Sequence, residues 1–195
     1  MDMDTLKAEC LACTRCELCA TRTNVVFGQG VPDAEVLFVG EGPGQSEDEQ
    51  GLPFVGRSGQ LLDKYLFAID LDRKKNCYIA NIVKCRPPQN RDPLPAESEA
   101  CMPWLREQFR LLHPKIVVCL GRVAAQRMIR QDFSVTREHG HGCCPPSTPP
   151  PCCANPRTSL KPLRTLPYCG TPLPPCASIP IINKDRNQPR RFCIL

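Results

Sequence analysis

The chain has no run of 18 apolar residues, the length at which a segment begins to qualify as a membrane-spanning helix. Its opening, MDMDTLKAEC, lacks both the basic segment and the apolar segment of a secretory signal. Together these absences predict a soluble, cytoplasmic protein. Acidic residues are nearly missing from the last 55 positions, where Asp185 stands alone against seven Lys and Arg. Residues 1–140 carry 18 basic and 19 acidic side chains, so the formal net charge of +5 originates in the tail, and it gives no argument for nucleic-acid binding. A dinucleotide fingerprint is also missing. Gly40-Glu41-Gly42 is followed by Gln45, where G-x-G-x-x-G requires Gly or Ala at that place.

With 195 residues, 42% of them hydrophobic, the chain is long enough for one domain with a substantial core. Fifteen cysteines exceed what packing alone uses, and in a cytoplasmic chain this points to metal binding ahead of a disulfide framework. Eight of them lie in residues 1–140 among ordinary neighbours, and seven lie in the tail beside 13 of the 22 prolines.

The body alternates strand and helix signals. Val25-Val26-Phe27 before Gly28 and Gly30 predicts a short strand entering a turn, and residues 6–18 suit either a helix or a cysteine-rich loop. Apolar runs at 35–39, 78–83 and 115–120 predict buried strands. Leu61, Leu62, Tyr65, Leu66 and Ile69 share one helical face, so 59–71 is expected as an amphipathic helix; further helices are expected at 96–112, stopped by Pro114, and at 121–129. The expected fold class is α/β: a three-layer αβα sandwich around a mostly parallel sheet, with the site formed by loops at the carboxyl ends of the strands. This domain covers 1–140. In 141–195 the periodicity vanishes into runs such as Cys143-Cys144-Pro145-Pro146, which supply neither helix nor central strand, so this tail is expected to be disordered.

Cys10, Cys13, Cys16 and Cys19 form a C-x2-C-x2-C-x2-C ladder close to the bacterial ferredoxin pattern, without its final x3 spacing and proline. Either all four bind one group locally, or one C-x2-C pair joins distant cysteines. Cys85, in a proline-rich loop after a strand, and Cys101, in the first turns of a helix, are the distant candidates, since the helix dipole favours a thiolate there. Cys77 and Cys119 fall in apolar strand segments and read as small buried hydrophobes. Four thiolates suit either zinc or a [4Fe-4S] cluster.

Five blocks, in one order, then resemble the iron-sulfur (family 4) uracil-DNA glycosylases over positions 10–140. They are Cys13-Thr14-Arg15-Cys16 with Arg22-Thr23 and Val25-Val26-Phe27-Gly28; Val39-Gly40-Glu41-Gly42-Pro43-Gly44 with Glu47-Asp48; Gly51-Leu52-Pro53-Phe54-Val55-Gly56-Arg57-Ser58-Gly59; Tyr78-Ile79-Ala80-Asn81-Ile82-Val83-Lys84-Cys85-Arg86-Pro87-Pro88; and Glu99-Ala100-Cys101. The resemblance implies a [4Fe-4S] cluster held by Cys13, Cys16, Cys85 and Cys101, with Cys10 and Cys19 as bystanders. It implies hydrolysis of the N-glycosidic bond of deoxyuridine in DNA, in base-excision repair, by a monomer whose partner is uracil-containing DNA.

In the family pattern Phe54 stacks on the flipped base and Asn81 reads its edge. An asparagine amide matches uracil N3–H and O4, whereas cytosine presents the opposite polarity at both atoms. Gly40 and Gly42 let backbone approach the base and sugar, and Glu41 and Glu47 are the carboxylates that could orient a water against C1′. The bland alternatives are core packing for Phe54, a strand-end turn for Asn81, and a solvated charge run for Glu47, Asp48 and Glu49. Lys84, Arg86 and Arg91 are candidate phosphate contacts, with ordinary surface charge as the competing view.

The chain departs from the family in one place: a late His-Pro-Ser/Ala-x-Leu-Leu-Arg segment, whose histidine stabilises the uracil anion, is absent. His113-Pro114 lacks the following leucines, and nothing supports His139 or His141 in the role. Codons exist for residues 147–169 that, read from the third base, encode HPSALLRKPSDKPEAFEDFAIL. The tail is therefore read as a frameshift product that impairs activity. Two other readings are a ferredoxin-like electron carrier using Cys10, Cys13, Cys16 and Cys19, and a DNA-binding remnant without catalysis.

Overall fold

The computed structural model describes residues 1–134 and the backbone of residues 191–194. The elements in order are α1 (Met3–Leu11), β1 (Gln29–Gly30), β2 (Val36–Gly40), α2 (Gln45–Gln50), α3 (Arg57–Ala68), β3 (Cys77–Asn81), α4 (Pro95–Leu112), β4 (Ile116–Cys119), α5 (Arg122–Met128) and β5 (Arg191–Ile194). Five strands pair in the order β1-β3-β2-β4-β5, with β1 antiparallel and every other pairing parallel, as the α/β expectation requires.

Alternation along the strands explains the three layers. Leu37 and Val39 of β2 join Tyr78, Ala80, Val117 and Cys119 on the face packed by α1, α4 and α5. Phe38 points the other way, with Cys77, Ile79 and Val118, against Leu62 and Leu66 of α3. Cys77 and Cys119 are thus buried on opposite faces, as expected of small hydrophobes. Burying both faces is what makes these short strands near-continuous apolar runs.

Several boundaries differ from the sequence expectation. Val25-Val26-Phe27 is buried but not a strand; Val26 N–H donates to Lys84 O at 2.8 Å, and the first strand is Gln29–Gly30. Both readings of residues 6–18 apply in part, since α1 ends at Leu11 and a single 3₁₀ turn, Glu17–Ala20, follows the cysteine loop. Only Leu62 and Leu66 of the predicted α3 face are buried, while Leu61, Tyr65 and Ile69 are exposed. α2 was not foreseen. The reading of 141–195 as disordered lies outside the described residues, apart from Arg191–Ile194, whose backbone pairs in parallel with β4. That segment corrects the expectation of a tail without any strand, and it is the proline-free stretch RFCI, rich in residues that suit strands. Among the described residues, no helix is long and apolar enough to cross a membrane.

Candidate functional site

Two adjoining constellations form at the carboxyl ends of β2 and β3. In the parallel register Gly40 lies opposite Asn81, the last residue of each strand. Pairing continues into the loops through Ile82 N–H to Gly40 O at 2.9 Å and Val83 N–H to Glu41 O at 3.1 Å. A Cβ on Gly40 would lie 2.5 Å from Phe54 Cζ and 2.6 Å from Asn81 Oδ1, so a side chain here would occupy the space where ring and amide meet. Gly42 is similarly confined, its absent Cβ 2.7 Å from Val83 Cγ2. Asn81 is 1% exposed, and its Oδ1 has no hydrogen-bond partner among the described residues. A buried carbonyl-type oxygen left unpaired costs about 1–3 kcal/mol, which a ligand N–H would recover. Asn81 is thus no ordinary strand-end turn residue.

Phe54 reaches this place in a left-handed backbone conformation, φ +53°. The Glu47 carboxylate helps to hold it. Its Oε1 accepts the N–H groups of Val55 at 2.9 Å and Gly56 at 2.8 Å, and its Oε2 accepts Gly44 N–H at 3.1 Å, clipping the Gly40–Gly44 loop to the Phe54 loop. Asp48 is buried, taking the N–H groups of Thr23 and Asn24. For Glu47 and Asp48 the solvated charge run is excluded. Glu41 stands apart from these ties. Partial burial raises its carboxyl above the ordinary carboxylate value, repulsion from Asp92 adds to the rise, and Arg122 opposes it.

The second constellation is a cavity lined by Cys10, Cys13, Cys16, Cys19, Cys85 and Cys101 together with Arg15, Arg22, Lys84 and Trp104. All eight cysteines of residues 1–134 are free thiols. Three of the four thiols named by the family resemblance receive donors: Trp104 Nε1–H to Cys13 Sγ at 3.2 Å, Arg22 Nη1–H to Cys85 Sγ at 3.3 Å, and Lys84 N–H to Cys101 Sγ at 3.2 Å. Arg22 also binds Cys13 O at 2.7 Å, and the Arg15 guanidinium lies 4.2 Å over the Trp104 ring, fixing the indole. Burial pushes the Cys101 thiol up to about 11 and Cys10 up to about 12, and raises Cys85 and Cys16. Such thiols become thiolates when a cationic group enters. Among the described residues, no group of three or more His, Cys, Asp or Glu converges on a single metal ion. A cluster of four irons holds its thiolates farther apart than one ion does, and N–H donors aimed at sulfur are what such a cluster uses, so the donor set fits it.

Lys84 corrects one expectation. It is 1% exposed and does not reach a phosphate; its Nζ donates to Asn81 O at 3.0 Å and Gln108 Oε1 at 2.6 Å, and burial lowers its ammonium to about 8. Gln108 in turn donates to Phe27 O at 2.9 Å. Arg91 is drawn into a two-pronged pair with Glu97, while Arg86 is half-buried and its Nε–H donates to Asn90 Oδ1 at 2.8 Å. Sequence reasoning gave Lys84 a different role and Gln108 none, because a lysine three residues past the end of β3 reads as buried only once its acceptors are known.

Comparison with known proteins agrees with this geometry. The model of the uracil DNA glycosylase superfamily matches residues 27–166, running past position 140 into the tail. This chain belongs to that superfamily. It is 48% identical to the type-4 uracil-DNA glycosylase of Archaeoglobus fulgidus over 124 residues, covering 64% of this chain and 62% of the relative. It is 47% identical to that of Sulfurisphaera tokodaii over 142 residues, 71% of this chain and 64% of the relative. For that of Thermotoga maritima the identity is 45% over 130 residues, covering 66% and 67%. The chain therefore spans about three-fifths to two-thirds of the length of these relatives.

Proposed function

We propose that this chain is a uracil-DNA glycosylase by ancestry, acting as a cytoplasmic monomer on uracil-containing DNA and leaving an abasic site. The observation that carries the reading is the orphaned Asn81 Oδ1 facing Phe54 across the space that Gly40 keeps open. A flipped deoxyuridine would stack on Phe54, offer N3–H to Asn81 Oδ1 and accept at O4 from Nδ2–H. Cytosine would set acceptor against acceptor and donor against donor. Glu41 would orient the attacking water as positive charge develops at C1′, and its raised carboxyl suits a base poised nearer neutrality. Glu47, with its oxygens committed to backbone N–H groups, would hold the two loops in place.

Cys13, Cys16, Cys85 and Cys101 would hold a [4Fe-4S] cluster, which when bound supplies a rigid tie between the N-terminal loop, the Cys85 loop and α4. No redox step is required of it. The ferredoxin-like alternative predicts other ligands: cluster absorbance that survives Cys85→Ser and Cys101→Ser but not Cys10→Ser and Cys19→Ser would replace this assignment.

Without the His-Pro-Ser segment, uracil release should fall far below that of a chain whose tail is restored to the alternate frame. The test is a labelled deoxyuridine oligonucleotide assayed with both chains and with Asn81→Ala in the restored one. Equal rates for the two tails would end the impairment reading. Undiminished release by Asn81→Ala would end the recognition reading. Binding without cleavage by both tails would leave the chain a DNA-binding remnant.

A further inference from the structure

Arg73 lies in the turn between α3 and β3, at the end of β3 remote from Asn81, and is 8% exposed. All five of its N–H donors are engaged. Nε and Nη2 donate to Asp63 Oδ1 at 3.0 and 2.5 Å, Nη1 to Pro53 O at 2.7 Å and Gln29 Oε1 at 3.3 Å, and Nη2 also to Phe54 O at 3.0 Å. Two of these acceptors are consecutive carbonyls of the segment that carries the stacking ring.

A left-handed phenylalanine is strained and persists only where the surroundings over-determine it. Here the Arg73 fork takes the Pro53 and Phe54 carbonyls, Glu47 takes the next two N–H groups, and Gly59 leaves room for the Phe54 carbonyl, which a Cβ would strike. The ring is thereby turned toward Gly40 and Asn81. Lysine cannot reproduce this hold, since it lacks the planar fork that spans two carbonyls.

We propose that Arg73 is a positioning residue for uracil recognition, acting through the Phe54 backbone to present the ring and making no contact with the base. The proposal rests on the reading of Phe54 as the base-stacking residue. It is tested by binding of the full chain to an oligonucleotide with one deoxyuridine beside a 2-aminopurine reporter, against a deoxycytidine control. Arg73→Gln, Arg73→Lys, Phe54→Ala and the Arg73→Gln/Phe54→Ala double variant are compared, each with its melting curve.

Arg73→Gln should weaken deoxyuridine binding roughly tenfold, the scale of one base–aromatic stack, and leave deoxycytidine binding unchanged. Added to Phe54→Ala it should cost less than about twofold, because its target is already gone. A full tenfold loss on the Phe54→Ala background, or no loss on the parent, overturns the proposal. Should Arg73→Gln fail to fold, Arg73→Lys decides: parent-like deoxyuridine binding by a folded Arg73→Lys chain overturns it as well. If Phe54→Ala binds deoxyuridine as the parent does, or the parent shows no preference for deoxyuridine, the underlying stacking reading fails and takes this proposal with it.

Discussion

The indole Nε1–H of Trp104 points at the sulfur of Cys13, 3.2 Å away, across 91 positions of sequence. Hydrogen bonds to cluster sulfurs raise reduction potential. Trp104→Phe keeps a ring under Arg15 and deletes the donor. After cluster reconstitution, its midpoint potential should move negative by on the order of tens of millivolts, the equivalent of one hydrogen bond of about 1 kcal/mol. An unchanged potential in protein-film voltammetry would mean that the indole does not serve the cluster.

Gly40→Ala tests the recognition space more directly than any change at Phe54 or Asn81. The new methyl would begin 2.5 Å from Phe54 Cζ, and overpacking of this kind costs about 1–3 kcal/mol of stability. Deoxyuridine binding should disappear while a cooperative melt survives. A Gly40→Ala chain that binds deoxyuridine normally would show that the base does not enter between ring and amide.

Glu41 should titrate according to its neighbours. Asp92 raises its carboxyl and Arg122 lowers it, and these two form an ion pair of their own. Asp92→Asn should therefore lower the Glu41 midpoint, and Arg122→Gln should raise it. In the restored-frame chain, the acid limb of uracil release should follow in the same directions. Carboxyl-carbon NMR of labelled protein reads the midpoints; shifts of opposite sign would remove Glu41 from the role of base.

Glu97 provides a stability prediction with a defined pH window. Hydrogen bonds from Arg91 hold its carboxyl below the ordinary value of 4.5, with the Leu94 N–H contributing and burial opposing. A depressed folded value means that the stabilisation is present above pH 4.5 and drains away as pH falls through the folded value. Glu97→Gln should cost about 1–3 kcal/mol at pH 7, and chemical denaturation curves of variant and parent should converge on acidification. A gap that persists at acid pH would assign the loss to packing.

Much of the fold was legible because it rests on apolar period: β2, β3 and β4 are short runs buried on both faces, and α4 shows its stripe at Cys101, Leu105 and Leu112. α2, with the sequence QSEDEQ, has no apolar residue to signal a helix and owes its place to the buried Asp48. The pocket glycines, Phe54 and Asn81 came from ordered motifs, and the register then set them side by side. Arg73 heads the charged run Arg73-Lys74-Lys75, in which nothing local marks it out, and Lys84 stands among the candidate phosphate contacts. Each also needs an acceptor from a distant segment, the Pro53 and Phe54 carbonyls for Arg73 and the Gln108 amide for Lys84, which no local window contains.

If the proposed recognition reading holds, the position of Lys84 limits how small a uracil-binding fragment could be. Its backbone N–H meets the Cys101 sulfur, its ammonium meets the Asn81 carbonyl, and Cys85 is the next residue. Under the proposed reading, the recognition segment and the thiol loop meet at this single residue. A transplant of the pocket into another scaffold would have to bring the thiol loop and the start of α4 along as one piece.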